Sequence, residues 1–215
     1  MAEGSTLIHG LTTFVVDSAL RFCRGWLDQG LRLPVAVNIS ARSLCDPEFP
    51  AIILDRLANA DIPSDLLTIE LTEGTMMAYP GLALSILQKL RDMGVRLSVD
   101  DYGTGYSSMA YLKNLPVHEL KIDRSFIMGM NTAPNDAVIV QSATALGHNL
   151  GLSIVAEGVE DETTLVALRA LGVDVAQGFH LGRPMPEDVL QRWIADRAAT
   201  ADGMTPLAQV STPDV

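Results

Sequence analysis

The chain is short of three things, and each shortage excludes something. It has only two cysteines in 215 residues, Cys23 and Cys45. Two thiols cannot staple a domain of this size, so a packed core must hold it and a reducing, cytoplasmic setting is expected. It has no long apolar run: stretches such as 7–16 and 137–146 reach about ten residues with polar interruptions, against the roughly 18–20 needed to cross a bilayer. No Lys/Arg-headed apolar leader opens the chain, so neither membrane insertion nor a secretory signal is expected. Positive charge is scarce too, with 15 Lys+Arg against 26 Asp+Glu and a net charge of −11. Such a surface repels a polyphosphate, so a general DNA- or RNA-binding role is not expected.

What the chain does have is apolar residue, 48% of the total, arranged in alternating patterns. A broad apolar face predicts a helix over 5–29, capped by Ser5 or Thr6 and stopped by Gly30. Short β-branched runs predict strands at 34–40, 66–73, 95–101, 119–123, 152–157 and 173–178. Helical patterns fall between them, at 50–60, 80–93, 107–114, 135–149 and 161–171, with a last one at 186–199. Strands that alternate with helices imply parallel βαβ units. The final residues, 200–215, lack periodicity and are expected to be disordered.

Each predicted strand begins apolar and ends polar or charged. The series is Asn38, Glu70, Asp100 with Asp101, Lys121 with Asp123, Glu157 and Gln177. One charge at a strand end needs no explanation, because the chain is leaving the core there. Six successive strands doing the same favours a (β/α) barrel, in which C-terminal strand ends converge on the active site, over an open doubly wound sheet, where they spread along an edge. Four carboxylates brought together (Glu70, Asp100, Asp101, Glu157) cannot all stay ionised in a low-dielectric site without cations. Oxygen ligands of this type suit Mg²⁺ or Mn²⁺, with the Asn38 carbonyl as a neutral addition. Paired divalent ions serve phosphoester hydrolysis, and Lys121 is the one strand-end cation available to a water or a phosphate. The histidines His9, His118, His148 and His180 lack zinc spacing, and no GxSxG nucleophile elbow occurs.

These segments resemble the EAL domain, a bacterial cyclic-di-GMP phosphodiesterase family. The resemblance rests on Asn38-Ile39-Ser40, Glu70-Leu71-Thr72-Glu73, the run from Asp100 to Ser108, Leu120-Lys121-Ile122-Asp123, Ala156-Glu157-Gly158-Val159-Glu160 and Gln177-Gly178-Phe179. It runs from about Thr6 to Ile194. It implies a modified TIM-like (β/α) barrel occupying 6–199, after a start at 1–5 and before the tail at 200–215. It implies metal positions at Asn38, Glu70, Asp100, Asp101 and Glu157, a catalytic lysine at Lys121, supporting positions at Gln177 and Glu160, and a glutamate at Glu73 that tethers the loop after Asp101. A helix-capping role for Glu160 is an equal alternative. The implied reaction is hydrolysis of cyclic-di-GMP to linear pGpG with Mg²⁺ or Mn²⁺, inhibited by Ca²⁺, in the bacterial cytoplasm, with an upstream GGDEF or sensor domain possible.

Two departures qualify the resemblance. Tyr102 stands where phenylalanine is common, and the Glu-Ala-Leu tripeptide that names the family does not occur. The sequence therefore reads as a shortened barrel of about six parallel strands lacking one metal-ligand segment, so weak or absent turnover is expected of it. Six strands cannot close an eight-stranded barrel. The strands at 35–40 and 173–178 would then expose unpaired edges, which favour a homodimer or other self-association. The competing readings are a non-catalytic EAL module that binds the dinucleotide or a protein partner and, more remotely, an enolase-type barrel.

Overall fold

A computed structural model of the chain describes residues 3–78, 80–105, 109–200 and 210–211. The elements in chain order are α1 (Glu3–Asp28), β1 (Val35–Asn38), α2 (Phe49–Ala60), β2 (Leu67–Thr72), α3 (Glu73–Ala78), α4 (Pro80–Asp92), β3 (Arg96–Tyr102), α5 (Met109–Leu112), β4 (Glu119–Ile122), α6 (Arg124–Gly129), α7 (Pro134–Asn149), β5 (Ser153–Ala156), α8 (Glu162–Ala170), β6 (Val175–Ala176), α9 (Glu187–Thr200) and β7 (Val210–Ser211). All six predicted strands are present, within two residues at most ends. The glycine stops behave as expected. Gly94, for example, adopts φ 87° after α4, and its amide donates to the Arg91 carbonyl, a helix ending that a residue with a side chain resists.

The six strands β1 to β6 lie side by side in sequence order and pair in parallel, an open half-barrel with helices around it. Parallel neighbours in sequence order need a crossover each, and the intervening helices supply it. One face of the strands is apolar throughout: Val37, Leu67, Ile69, Leu71, Leu97, Leu120, Ile122 and Ile154 are completely buried. They join Leu20, Cys23, Ile53, Leu57, Ile86, Leu87, Leu90 and Val140 from the helices in one core. At about 1.5–3 kcal/mol for each buried aliphatic side chain, this face fixes the register of the other.

Three expectations are corrected. Helix α1 begins at Glu3, so Ser5 and Thr6 lie inside it rather than capping it. The short helices α3 and α6 follow β2 and β4 directly, where the sequence pattern marked no helix. The edge of β1 is not bare, because Val210 and Ser211 pair in parallel with Val35 and Ala36. The remainder of the expected disordered tail, from 201 onward, lies outside the described residues. No helix among the described residues is long and apolar enough to cross a membrane.

Candidate active site

Strand alternation and register bring the polar strand ends together. On β2, Thr68 and Glu70 oppose the apolar Leu67, Ile69 and Leu71, and Ser98 with Asp100 and Glu119 with Lys121 repeat the pattern on β3 and β4. Lys121 is the centre of the cluster. Its side chain is 1% exposed, and Nζ lies 2.9 Å from Glu70 Oε1, 3.2 Å from Asp100 Oδ1 and 2.7 Å from Glu157 Oε1. A lone buried ammonium costs many kcal/mol. Burial pulls the Lys121 pKa down, but Glu70, Glu157 and Asp100 together outweigh it and the lysine is held more firmly charged than usual.

The carboxylates carry the opposite strain. Burial pushes Glu70 up to about 7, with Lys121 opposing the shift and Asp100 and Glu157 adding to it. Burial also raises Glu157, against the pull of Lys121. Three acids around one lysine leave net negative charge in a poorly solvated place. Oxygens of Asp100, Asp101 and Glu157 lie within 4.8 Å of one another, the spacing and chemistry of a hard divalent cation site.

Adjacent residues on a regular strand point to opposite faces, so Asp100 and Asp101 should not converge. The structure resolves this with an irregularity. The β3–β4 register shifts between Val99 and Tyr102, and Asp101 takes φ 55°, a left-handed conformation that Asp tolerates better than most residues. The local bend re-aims Asp101 onto the same side. Burial, then Asp100 and Asp123, raise its pKa.

Asp123, one of the polar strand ends, has a part here that its place in that series did not assign. Its carboxylate caps α6 by accepting from the Ser125 amide at 2.9 Å while lying close enough to perturb Asp101. The Asp-x-Ser capping pattern after β4 was the available signal.

Glu73 opens α3 directly after β2. Its Oε2 accepts from the Gly103 amide at 3.4 Å and the Gly105 amide at 3.3 Å, so one carboxylate holds two backbone groups of the loop after Asp101. A Cβ on Gly105 would lie 2.9 Å from Glu73 Cδ, and one on Gly103 2.8 Å from Phe126. The rest of the predicted glycine-rich loop, 106–108, lies outside the described residues. Asn38 is exposed at the end of β1, in register with Glu70. Gln177 is half-buried, its amide donating to Ala156 and its carbonyl accepting from Val159. Glu160 is exposed, and the cap of α8 is Asp161, which accepts from the Thr164 amide at 2.8 Å. The capping alternative for Glu160 is therefore wrong. Short distances thus unite Glu70, Asp100, Asp101, Lys121 and Glu157, whereas Asn38, Gln177 and Glu160 are placed only by their strand or loop.

The acid cluster around a buried lysine thus lies at the C-terminal ends of parallel strands with helices outside, the place where TIM-like barrels carry their sites. The EAL domain family matches residues 1–184, and the chain belongs to that family. The signaling protein YkoW of Bacillus subtilis is 38% identical over 92% of this chain and 25% of its own length. The bifunctional diguanylate cyclase/cyclic di-GMP phosphodiesterase MucR of Pseudomonas aeruginosa is 43% identical over 91% of this chain and 29% of its own. Among solved structures, the PaMucR phosphodiesterase in complex with c-di-GMP superposes with a TM-score of 0.83 at 44% identity, covering 88% of this chain and 77% of that one. The chain thus spans between a quarter and a third of these curated relatives.

Proposed function

We propose that this chain performs the chemistry of a cyclic-di-GMP phosphodiesterase, opening one phosphodiester of the cyclic dinucleotide to give linear pGpG. The observation that carries the reading is the Lys121 cluster, in which one ammonium is shared by Glu70, Asp100 and Glu157 with Asp101 alongside. The excess of carboxylate there fits divalent cations, and Asn38, Glu70, Asp100, Asp101 and Glu157 are the residues to hold them. Mg²⁺ or Mn²⁺ would supply an activated water and charge stabilisation for phosphoester hydrolysis, and the larger Ca²⁺ should inhibit.

The chain's own residues account for the rest. In the reaction water adds at phosphorus, the bond to one 3′ oxygen breaks, and that oxygen leaves with a proton. Lys121 keeps its proton throughout and offers N–H donors to the attacking water or to phosphate oxygens as their charge grows. Glu73 fixes the backbone of the loop beside Asp101. Gln177, pinned by its backbone between β5 and Val159, and Glu160 are supporting groups at the same rim. The setting that fits is the bacterial cytoplasm, with self-association through the sheet edge at β6 and a GGDEF or sensor domain elsewhere in the full protein.

The test is turnover. Incubated with cyclic-di-GMP and Mg²⁺ or Mn²⁺, the chain, which lacks the Glu-Ala-Leu tripeptide, should yield pGpG slowly at best, and Asp100→Ala should abolish what turnover there is. Tight dinucleotide binding with no pGpG from either form would replace this reading with that of a non-catalytic binding module.

A further inference from the structure

The sheet register reveals a polar row of which the proposed reaction uses only Asn38 and Glu70. Asn38 pairs with Glu70, Glu70 with Ser98, Ser98 with Glu119, and Glu119 with Ser153. Five strands therefore contribute five laterally adjacent polar residues. All face inward, because Glu70, and Lys121 two residues beyond Glu119, meet on that side. The interior of a parallel barrel is normally packed with branched apolar side chains. Here the middle of the row is fully enclosed, with Glu70, Ser98 and Glu119 at 1%, 0% and 2% exposure. Thr68, just below Glu70 on the same face, is equally buried.

Three oxygens in this place, Thr68 Oγ1, Glu70 Oε2 and Ser98 Oγ, are buried with no hydrogen-bond partner among the described residues. An orphaned buried hydroxyl or carboxylate oxygen costs about 1–3 kcal/mol, and several rarely coexist unless ordered water satisfies them. Lys121 holds Oε1 of Glu70, and Oε2 is left buried without a partner.

We propose that this row is an internal water-binding site beneath the acid–lysine cluster. Its waters bridge Glu70 Oε2 to the Ser98 and Thr68 hydroxyls and to the Glu119 carboxyl, and so fix the orientation of Glu70. Ser98 and Glu119 are then positioning residues that act through Glu70, and Asn38 marks the end of the row nearest solvent. The effect on Glu70 rests on the metal reading above, whereas the hydration of the row does not.

Both parts can be tested on the 215-residue chain. A high-resolution crystal structure should show ordered water within hydrogen-bonding distance of Glu70 Oε2 and Ser98 Oγ. A dry interior there would overturn the proposal. Mn²⁺ affinity, measured by calorimetry without substrate, should fall roughly 10-fold in Ser98→Ala and Glu119→Met, as losses of supporting partners generally do, and should recover in Glu119→Gln. Folded Met and Ala variants of higher melting temperature with unchanged Mn²⁺ affinity would show the row to be only imperfect packing, and would also overturn it. If a variant does not fold, the water positions in the unaltered chain still decide. Ordered water in a chain that binds no Mn²⁺ would uphold the hydrated row and sink the metal reading instead.

Discussion

The two ends of the same strands are built on opposite rules. At the N-terminal end, polar side chains close hydrogen bonds that the fold needs. His118 Nδ1 accepts from the Leu97 amide at 3.1 Å. Asp174 Oδ2 accepts from the Ile154 amide at 2.7 Å and meets His148 Nε2 at 2.8 Å. At the C-terminal end, three carboxylates share one lysine, a fourth stands beside them, and Asp101 sits in left-handed backbone. Hydrogen bonds that staple neighbouring strands cost little to keep, whereas concentrated like charge is costly without a ligand. The contrast makes the second end the candidate functional site without reference to any relative.

The largest expected effect breaks the charged end. Lys121→Met leaves Glu70, Asp100 and Glu157 without their shared cation. Removing one partner of a buried ionic set costs about 3–5 kcal/mol, so urea denaturation should show a loss of that order in metal-free buffer. The loss should shrink toward acid pH, where Glu70, already raised to about 7, takes up a proton and the repulsion eases. Mn²⁺ should restore part of it. An unchanged midpoint would mean that the lysine does not neutralise this cluster.

A smaller effect is expected one layer out. Glu73→Ala releases the amides of Gly103 and Gly105, which lie on exposed residues and turn to water, so only the net worth of each bond, about 0.5–1.5 kcal/mol, is lost. Because only the loop depends on it, amide exchange at 103–105 should rise sharply while the global midpoint moves little. At the opposite end, Asp174→Ala removes the acceptor for Ile154 and should cost about 1–2 kcal/mol of global stability with Mn²⁺ affinity unchanged. A shift in Mn²⁺ affinity there would blur the division between the two ends.

How legible was this in the sequence? The strands and long helices were, because apolar periodicity and glycine stops report burial directly. The residue types of the cluster were legible too, since polar strand ends stand out against apolar starts. Helices α3 and α6 were not, because six residues do not complete an apolar period. Their signals lay in caps instead: Thr72 Oγ1 accepting from the Thr75 amide, and Asp123 accepting from the Ser125 amide. Asp100 and Asp101 were expected together, but how adjacent residues converge was not legible. Alternation places them on opposite faces, and only the register shift and the left-handed Asp101 reconcile them. The pairing of Val210–Ser211 on β1 is a contact across most of the chain's length, which no local pattern encodes. The polar row needed the register itself, since Glu119 and Ser98 look unremarkable one strand at a time.

The smallest effect is a pH dependence confined to the N-terminal end. Burial lowers the His118 pKa below 6.5, and Arg91 and Arg96 lower it further. Neutral His118 accepts the Leu97 amide through Nδ1, and protonation removes that acceptor. A histidine whose folded-state pKa is depressed binds fewer protons folded than unfolded. Its contribution is therefore complete above about pH 6.5 and is lost as pH falls from there toward the folded value. Melting curves between pH 7 and pH 5 should show this decline, and His118→Gln should flatten it. The acids of the cluster do not mimic the signal. Raised carboxylates such as Glu70 and Glu157 make the folded state bind more protons, so they favour folding as pH falls. The two ends of the strands therefore push the stability curve in opposite directions over the same range. If His118→Gln leaves the slope unchanged, the amide of Leu97 is being satisfied in some other way.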